Sequence, residues 1–196
     1  MTKDEATSGS APQDAPDNAL VRATLGGDET AFGRLVRRYI RKAMAVALEY
    51  AGSREDAEDV VQDTFKRVLE NLDRYDPSRP FEPWFFTVLR NTARNAAKRR
   101  RVRDHEALTT EYASASPDPF ETTHRRELRR QIDEAVERLP AAQRKCFRLC
   151  IVEGLSSVEV ASALGLAEST VRVQVFKARR ALQRLLDTWA EEVGNI

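Results

Sequence analysis

Two cysteines and two histidines in 196 residues leave little material for a disulfide framework or a metal centre. Cys146 and Cys150 stand four apart, hence on one face of a helix, but Phe147 and Ile151 beside them mark both as small core hydrophobes. His105 and His124 lack the spacing of a ligand pair. The chain shows no glycine-rich phosphate loop, no nucleophile elbow and no paired catalytic carboxylates. No catalytic residue, metal or cofactor is therefore expected, and the chain is read as a non-enzyme. No apolar run approaches the ~20 residues of a membrane span. Early acids and prolines stand where a secretory leader has its apolar core, so no membrane insertion and a cytoplasmic location are expected. Only 8 glycines and 8 prolines, with no strand-like alternation and no repeat of fixed period, predict an all-α chain.

Charge is scarce only in the net. Lys plus Arg number 32 against 31 Asp plus Glu, so the total names no partner. The distribution does. Residues 90–103 hold seven bases and no acid, and residues 169–186 hold five bases and no acid. Two separate anionic contacts are expected.

Composition divides the chain into four parts. Residues 1–17, rich in Ser, Ala, Pro and acid, read as a disordered tail. A helical module follows over 18–103. Residues 104–123 carry Asp104, Glu106, Glu111, Asp118 and Glu121 with Pro117 and Pro119, which is an acidic, turn-rich linker or plain tether. A second helical module spans 124–190, opening on the apolar stripe Leu128, Ile132, Ala135, Val136 and Leu139; Pro140 stops that helix or begins the next.

Within the second module, Ser156 and Glu159 have the spacing of a capping box, and Gly165 supplies the backbone freedom of a sharp helix end. The next helix buries Val171, Val175, Ala178, Leu182 and Leu185, spaced 4, 3, 4 and 3. Its opposite side presents Arg172, Val173, Phe176, Lys177 and Arg180. That is the layout of a helix-turn-helix whose second helix enters a major groove; the plainer alternative is a helical hairpin with a solvated basic face.

In the first module, Ser53 caps a helix whose stripe Ala57, Val60, Val61, Thr64 and Val68 turns inward. Asp59, Gln62, Asp63 and Lys66 turn outward. The helix dipole accounts for Asp56 and Glu58 near the start, less so for Asp63 two turns in. Further on, Pro83 suits a first helical turn, with Trp84, Phe85, Val88 and Leu89 as anchors. Arg90, Arg94, Lys98 and Arg101 then form a cationic stripe, flanked by Asn91 and Asn95. Aromatics stack on unpaired bases, amides read base edges and cations hold phosphates.

Three patterns together resemble the sigma-70 family, most closely its small extracytoplasmic-function members. Residues 56–65 (DAEDVVQDTF) resemble the helix that binds core RNA polymerase. Phe81 and Trp84 followed by residues 89–95 (LRNTARN) resemble the segment that melts and reads the −10 element. Leu139-Pro140 with residues 154–180 resembles the −35-reading helix-turn-helix. The resemblance spans about residues 18–188. It implies a two-domain, all-α promoter-specificity subunit with a region 2-like bundle and a region 4-like domain. Asp56, Asp59, Gln62, Asp63 and Phe65 would dock on the clamp coiled coil of the polymerase's largest subunit, with the flap region a further contact. Trp84, Arg90, Asn91, Arg94, Asn95, Lys98 and Arg101 would serve −10 DNA, with Asn91 near a flipped base. Ser169, Thr170, Arg172, Val173, Phe176, Lys177, Arg179 and Arg180 would serve −35 DNA. The linker would thread the product-RNA channel, and an anti-sigma factor would hold the chain inactive.

The chain departs from the family where Ala167 replaces a hydroxyl residue at the start of the recognition helix, which leaves capping to Glu168 or Ser169. It departs again where Val173 and Gln174 replace a small polar residue and a cation. The −35 sequence therefore cannot be copied from relatives. No segment after the second module is long enough for a fused sensor domain, so control by one is not expected. A conventional helix-turn-helix regulator would explain the second module, but would leave the Asp59–Asp63 face and the Trp84–Arg101 stripe without purpose.

Overall fold

The structure, a computed structural model, describes the backbone of residues 15–104 and 123–193 and the side chains of 15–101 and 130–185. Of the linker expected at 104–123, residues 105–122 lie outside the described residues, as does the tail up to residue 14. Every regular element among the described residues is helical. The chain divides into two compact units, Met1–Lys98 and Arg99–Ile196.

The first unit is built from α1 (Asp17–Leu25), α2 (Glu29–Leu48), α3 (Arg54–Glu70), a 3₁₀ turn (Leu72–Arg74) and α4 (Phe81–Asp104), whose last residues fall in the second unit. Local chemistry sets the helix starts. Asp28 accepts from the backbone N–H groups of Thr30 and Ala31 ahead of α2, and Ser53 accepts from Asp56 N–H ahead of α3, as its sequence position predicts. Aromatic rings then fix α4 against α2 and α3. Tyr39 lies 4.7 Å from Phe85 and 5.5 Å from Phe81 between ring centroids, and Phe65 lies 5.4 Å from Phe85. Phe85, Phe86 and Leu89 are fully buried, each worth about 1.5–3 kcal/mol of transfer free energy. That anchoring spends the first turns of α4 on packing and leaves the later turns facing outward.

The expected tail reached to residue 17, and the structure corrects that boundary. Ala15 is buried, and Asp17 opens α1 while accepting from the Arg38 guanidinium and, at 2.5 Å, from the Tyr39 hydroxyl. Arg38 also donates to the Ala15 carbonyl at 3.1 Å. Asn18 donates to the carbonyls of Pro77 and Arg79 at 2.9 and 3.1 Å, and accepts from the Tyr75 hydroxyl at 2.6 Å. These partners lie far along the chain, so local composition held no sign of them.

The second unit continues with α5 (Thr123–Glu137), α6 (Ala141–Phe147), a π turn (Arg148–Val152), α7 (Ser157–Leu164) and α8 (Glu168–Val193). Pro140 stands at the start of α6. Glu137 closes the α5 end by accepting from Arg144 at 2.8 Å and from Arg148. The capping box forms in full, with Glu159 N–H on Ser156 Oγ at 3.2 Å and Ser156 N–H on Glu159 Oε2 at 2.6 Å. Gly165 ends α7 at φ 69°, ψ 40°, left-handed backbone that glycine adopts without a Cβ penalty. Ala135, Val136 and Leu139 pack with Ala178 and Leu182, so α5 and α8 share one core. Leu185 was expected in that stripe but is exposed; among the described residues, Leu182 is the last of α8 in this core. Cys146 is buried and Cys150 half-buried; both are free thiols, and burial raises the Cys150 thiol pKa against the opposing charge of Arg179.

Candidate nucleic-acid interface

The outer side of α8 begins with what lies beneath it. Val171 and Ala178 are fully buried, and their spacing fixes the rotation of the helix. All eight residues expected at a duplex surface, Ser169, Thr170, Arg172, Val173, Phe176, Lys177, Arg179 and Arg180, are consequently exposed. Phe176 is 60% exposed, too much for a core residue of its size, and the Arg180 guanidinium lies 5.9 Å from its ring centroid. Among the described residues, Lys177, Arg179 and Arg180 have no carboxylate partner. Arg172 does. Its Nη2 donates to Glu168 Oε1 at 2.6 Å, and Ser157 Oγ donates to the same oxygen at 2.7 Å. The Ser157 bond, then that from Arg172, holds the Glu168 carboxyl below its ordinary range. Sequence reasoning offered Glu168 only as a substitute cap and did not connect it to Ser157, which lies across the turn.

In the first unit, α4 carries two neighbouring lines. At ~100° per residue, Trp84, Val88, Asn91 and Asn95 fall along one line, while Arg90, Arg94 and Arg101 fall along another roughly 90° away, with Lys98 between them. Asn91, Arg94, Asn95, Lys98 and Arg101 are exposed and, among the described residues, have no hydrogen bond or ion pair. Arg90 is half-buried. Trp84 is half-buried too, its ring 5.1 Å from Tyr75 and 5.6 Å from Phe81, so part of it is spent on packing. Burial raises the Tyr50 phenol pKa, and the fields of Arg90 and Arg94 oppose that rise. Tyr50 therefore stands beside the cationic line. Sequence reading did not single it out, since Tyr50 lies in the turn after α2, where no periodicity shows what it faces.

The α3 surface is acidic. Asp59, Gln62 and Asp63 are exposed and, among the described residues, unpaired. Asp56 is half-exposed, with its N–H on the Ser53 cap. Phe65 departs from expectation. It is buried, with Phe85 5.4 Å and Phe32 6.5 Å away, because it continues the Val61 side of the stripe and so faces inward. Its place is in the core, where it sets the rotation of α3 and hence the aspect of Asp59 and Asp63.

Residues 35–103 match the family described as Sigma-70 region 2, and residues 129–182 match Sigma-70, region 4. RNA polymerase sigma factor NccH of Alcaligenes xylosoxydans xylosoxydans is 33% identical, over 88% of this chain and 95% of NccH. ECF RNA polymerase sigma factor SigE of Mycolicibacterium smegmatis is 31% identical, over 94% of this chain and 73% of SigE. The chain belongs to the sigma-70 family, in its extracytoplasmic-function group.

This sigma factor also shares its fold with a solved structure, the sigma factor RpoE in complex with the anti-sigma factor NepR from Bartonella quintana. The TM-score is 0.59 at 26% identity, covering 80% of this chain and 96% of that one. The region 2 match takes in most of α2 and all of α3, and runs to residue 103 of α4; it begins after α1, which is held to the first unit through Asp17 and Asn18. The region 4 match runs from within α5 to Leu182, which among the described residues is also the last buried residue of α8. A sigma factor brings core RNA polymerase to promoter DNA, and no helix among the described residues is long and apolar enough to cross a membrane.

Proposed function

We propose that this sigma factor docks on the clamp coiled coil of the polymerase's largest subunit through Asp59, Gln62 and Asp63. In the same reading it captures the separated −10 strand with Trp84, Asn91 and Asn95, backed by Arg90, Arg94, Lys98 and Arg101. It reads −35 duplex through the outer side of α8, from Ser169 to Arg180, and meets the flap region through the same domain. One observation carries the assignment most: exposed charged and amide side chains cluster on three helix faces, and among the described residues most of them, Arg90 and Arg172 apart, have no hydrogen bond or ion pair within the chain. The chain makes and breaks no covalent bond; it lowers the barrier to opening by binding the open form. It works in the cytoplasm, where polymerase and promoter are. An anti-sigma factor holds it inactive, by analogy with the RpoE complex.

The experiment is transcription by purified core polymerase on fragmented genomic DNA, with and without the chain. Discrete new start sites sharing two upstream elements are expected. No transcription and no association with core would sink the reading and favour a duplex-DNA regulator.

A further inference from the structure

Resting on the reading that α8 faces −35 DNA, the geometry points to Glu168 as a positioning residue that sets base preference at the promoter without being required for affinity. We infer that the Ser157–Glu168–Arg172 relay holds the Arg172 guanidinium in a fixed pose over one base pair of the −35 element.

An ion pair between residues four apart on an exposed helix face is ordinarily loose, since both side chains keep their rotamers. Here the carboxylate is fixed from its other side. Ser157 Oγ, in the first turn of α7, donates to Glu168 Oε1 at 2.7 Å, and Arg172 Nη2 donates to the same atom at 2.6 Å. The turn between α7 and α8 is itself set by the left-handed Gly165. Glu168 is thus tied to two helices, and Arg172 is tied to Glu168. Arg172 remains 70% exposed, so of its five N–H donors the others stay available to a partner. A guanidinium already held in plane loses less freedom when it forks onto the two acceptors of a guanine edge than one that must be ordered on contact.

Glu168 has a second effect of opposite sign. It places a carboxylate, held ionised by its two donors, at the end of α8 that approaches phosphates. An anion there repels DNA of every sequence. The relay therefore lowers binding to every duplex by a common factor, while the fixed Arg172 pose alone sharpens the choice of the right one. Sequence inspection misses this, because there Glu168 offers only a substitute cap at the start of α8.

The test uses holoenzyme assembled from core polymerase and the full chain, with promoter fragments randomised across the −35 element. Arg172→Ala is expected to lower preference at one base pair by about ten- to a hundredfold, the range of one bidentate contact. Glu168→Gln is expected to flatten preference at that same base pair while raising affinity for unrelated duplex severalfold. Ser157→Ala, which frees the carboxylate but keeps its charge, is expected to flatten preference without raising unrelated binding. In the Arg172→Ala background, Glu168→Gln is expected to change preference no further. A merely structural role for Glu168 would lower all binding together and leave the preference ratio unmoved. If Glu168→Gln keeps the ratio while Arg172→Ala destroys it, the relay is refuted and the −35 reading stands. If Arg172→Ala changes nothing, both fall.

Discussion

Asp59 and Asp63 stand one helical turn apart on α3, both exposed and neither paired with a cation among the described residues. Like charges at this spacing cost an isolated helix about 0.2–0.5 kcal/mol. The pair stays uncompensated even with Lys66 and Arg67 close in sequence, which accords with a surface reserved for a basic partner. Asp63→Arg is expected to abolish association with core polymerase while leaving the unfolding midpoint equal to that of the parent or slightly above it. Unchanged affinity for core would remove Asp63 from the interface.

Phe65 carries the opposite expectation from its neighbours on α3. Buried between Phe32 and Phe85, it should cost about 3–5 kcal/mol of stability on truncation to alanine. Urea unfolding of Phe65→Ala measures this directly. A fully stable variant that nonetheless fails to bind core would restore Phe65 to the docking surface.

Arg180 lies over the Phe176 ring with no carboxylate to satisfy it among the described residues. Arg180→Ala is expected to weaken −35 binding and reduce the slope of log affinity against log salt by roughly one, the share of one released counterion. An equal slope would place Arg180 away from the DNA.

The Tyr39 hydroxyl is buried and donates to Asp17, and burial first, then that bond, raises its pKa far above the ordinary value of 10.0. Above pH 10 the unfolded chain loses the phenolic proton and the folded chain keeps it, so the unfolded state binds fewer protons. Stability from this group is present below pH 10 and falls as pH rises beyond it, by up to about 1.4 kcal/mol per unit. Tyr39→Phe should be less stable at neutral pH and show a flatter alkaline limb. A limb of unchanged steepness would assign the loss to other groups.

Features fixed by neighbours in sequence were legible before the fold was known. The Ser53 cap, the Ser156–Glu159 box and the Gly165 turn each depend on residues within a few positions, and each formed as read. The inward stripe of α8 followed from period alone through Leu182. What escaped depended on distant partners. Ala15 and Asp17 looked like tail because Arg38 and Tyr39, which hold them, lie on another helix. Leu185 looked buried because period alone cannot say how far along a helix a packing partner covers it. Glu168 looked like no more than a substitute cap because the Ser157 hydroxyl reaches it only once the turn has formed. The π turn over Arg148–Val152 had no sequence mark, since one extra residue per turn leaves composition unchanged.

The bonds from Asn18 to the carbonyls of Pro77 and Arg79 span 59 and 61 positions. A ribosome adding about 5–20 residues per second needs roughly 3–12 seconds to make that stretch. During that interval the first helix is complete and its latch has nothing to grip. The Asn18 latch therefore closes late in the domain's own translation, after Asp17 has already met Arg38 and Tyr39 of α2.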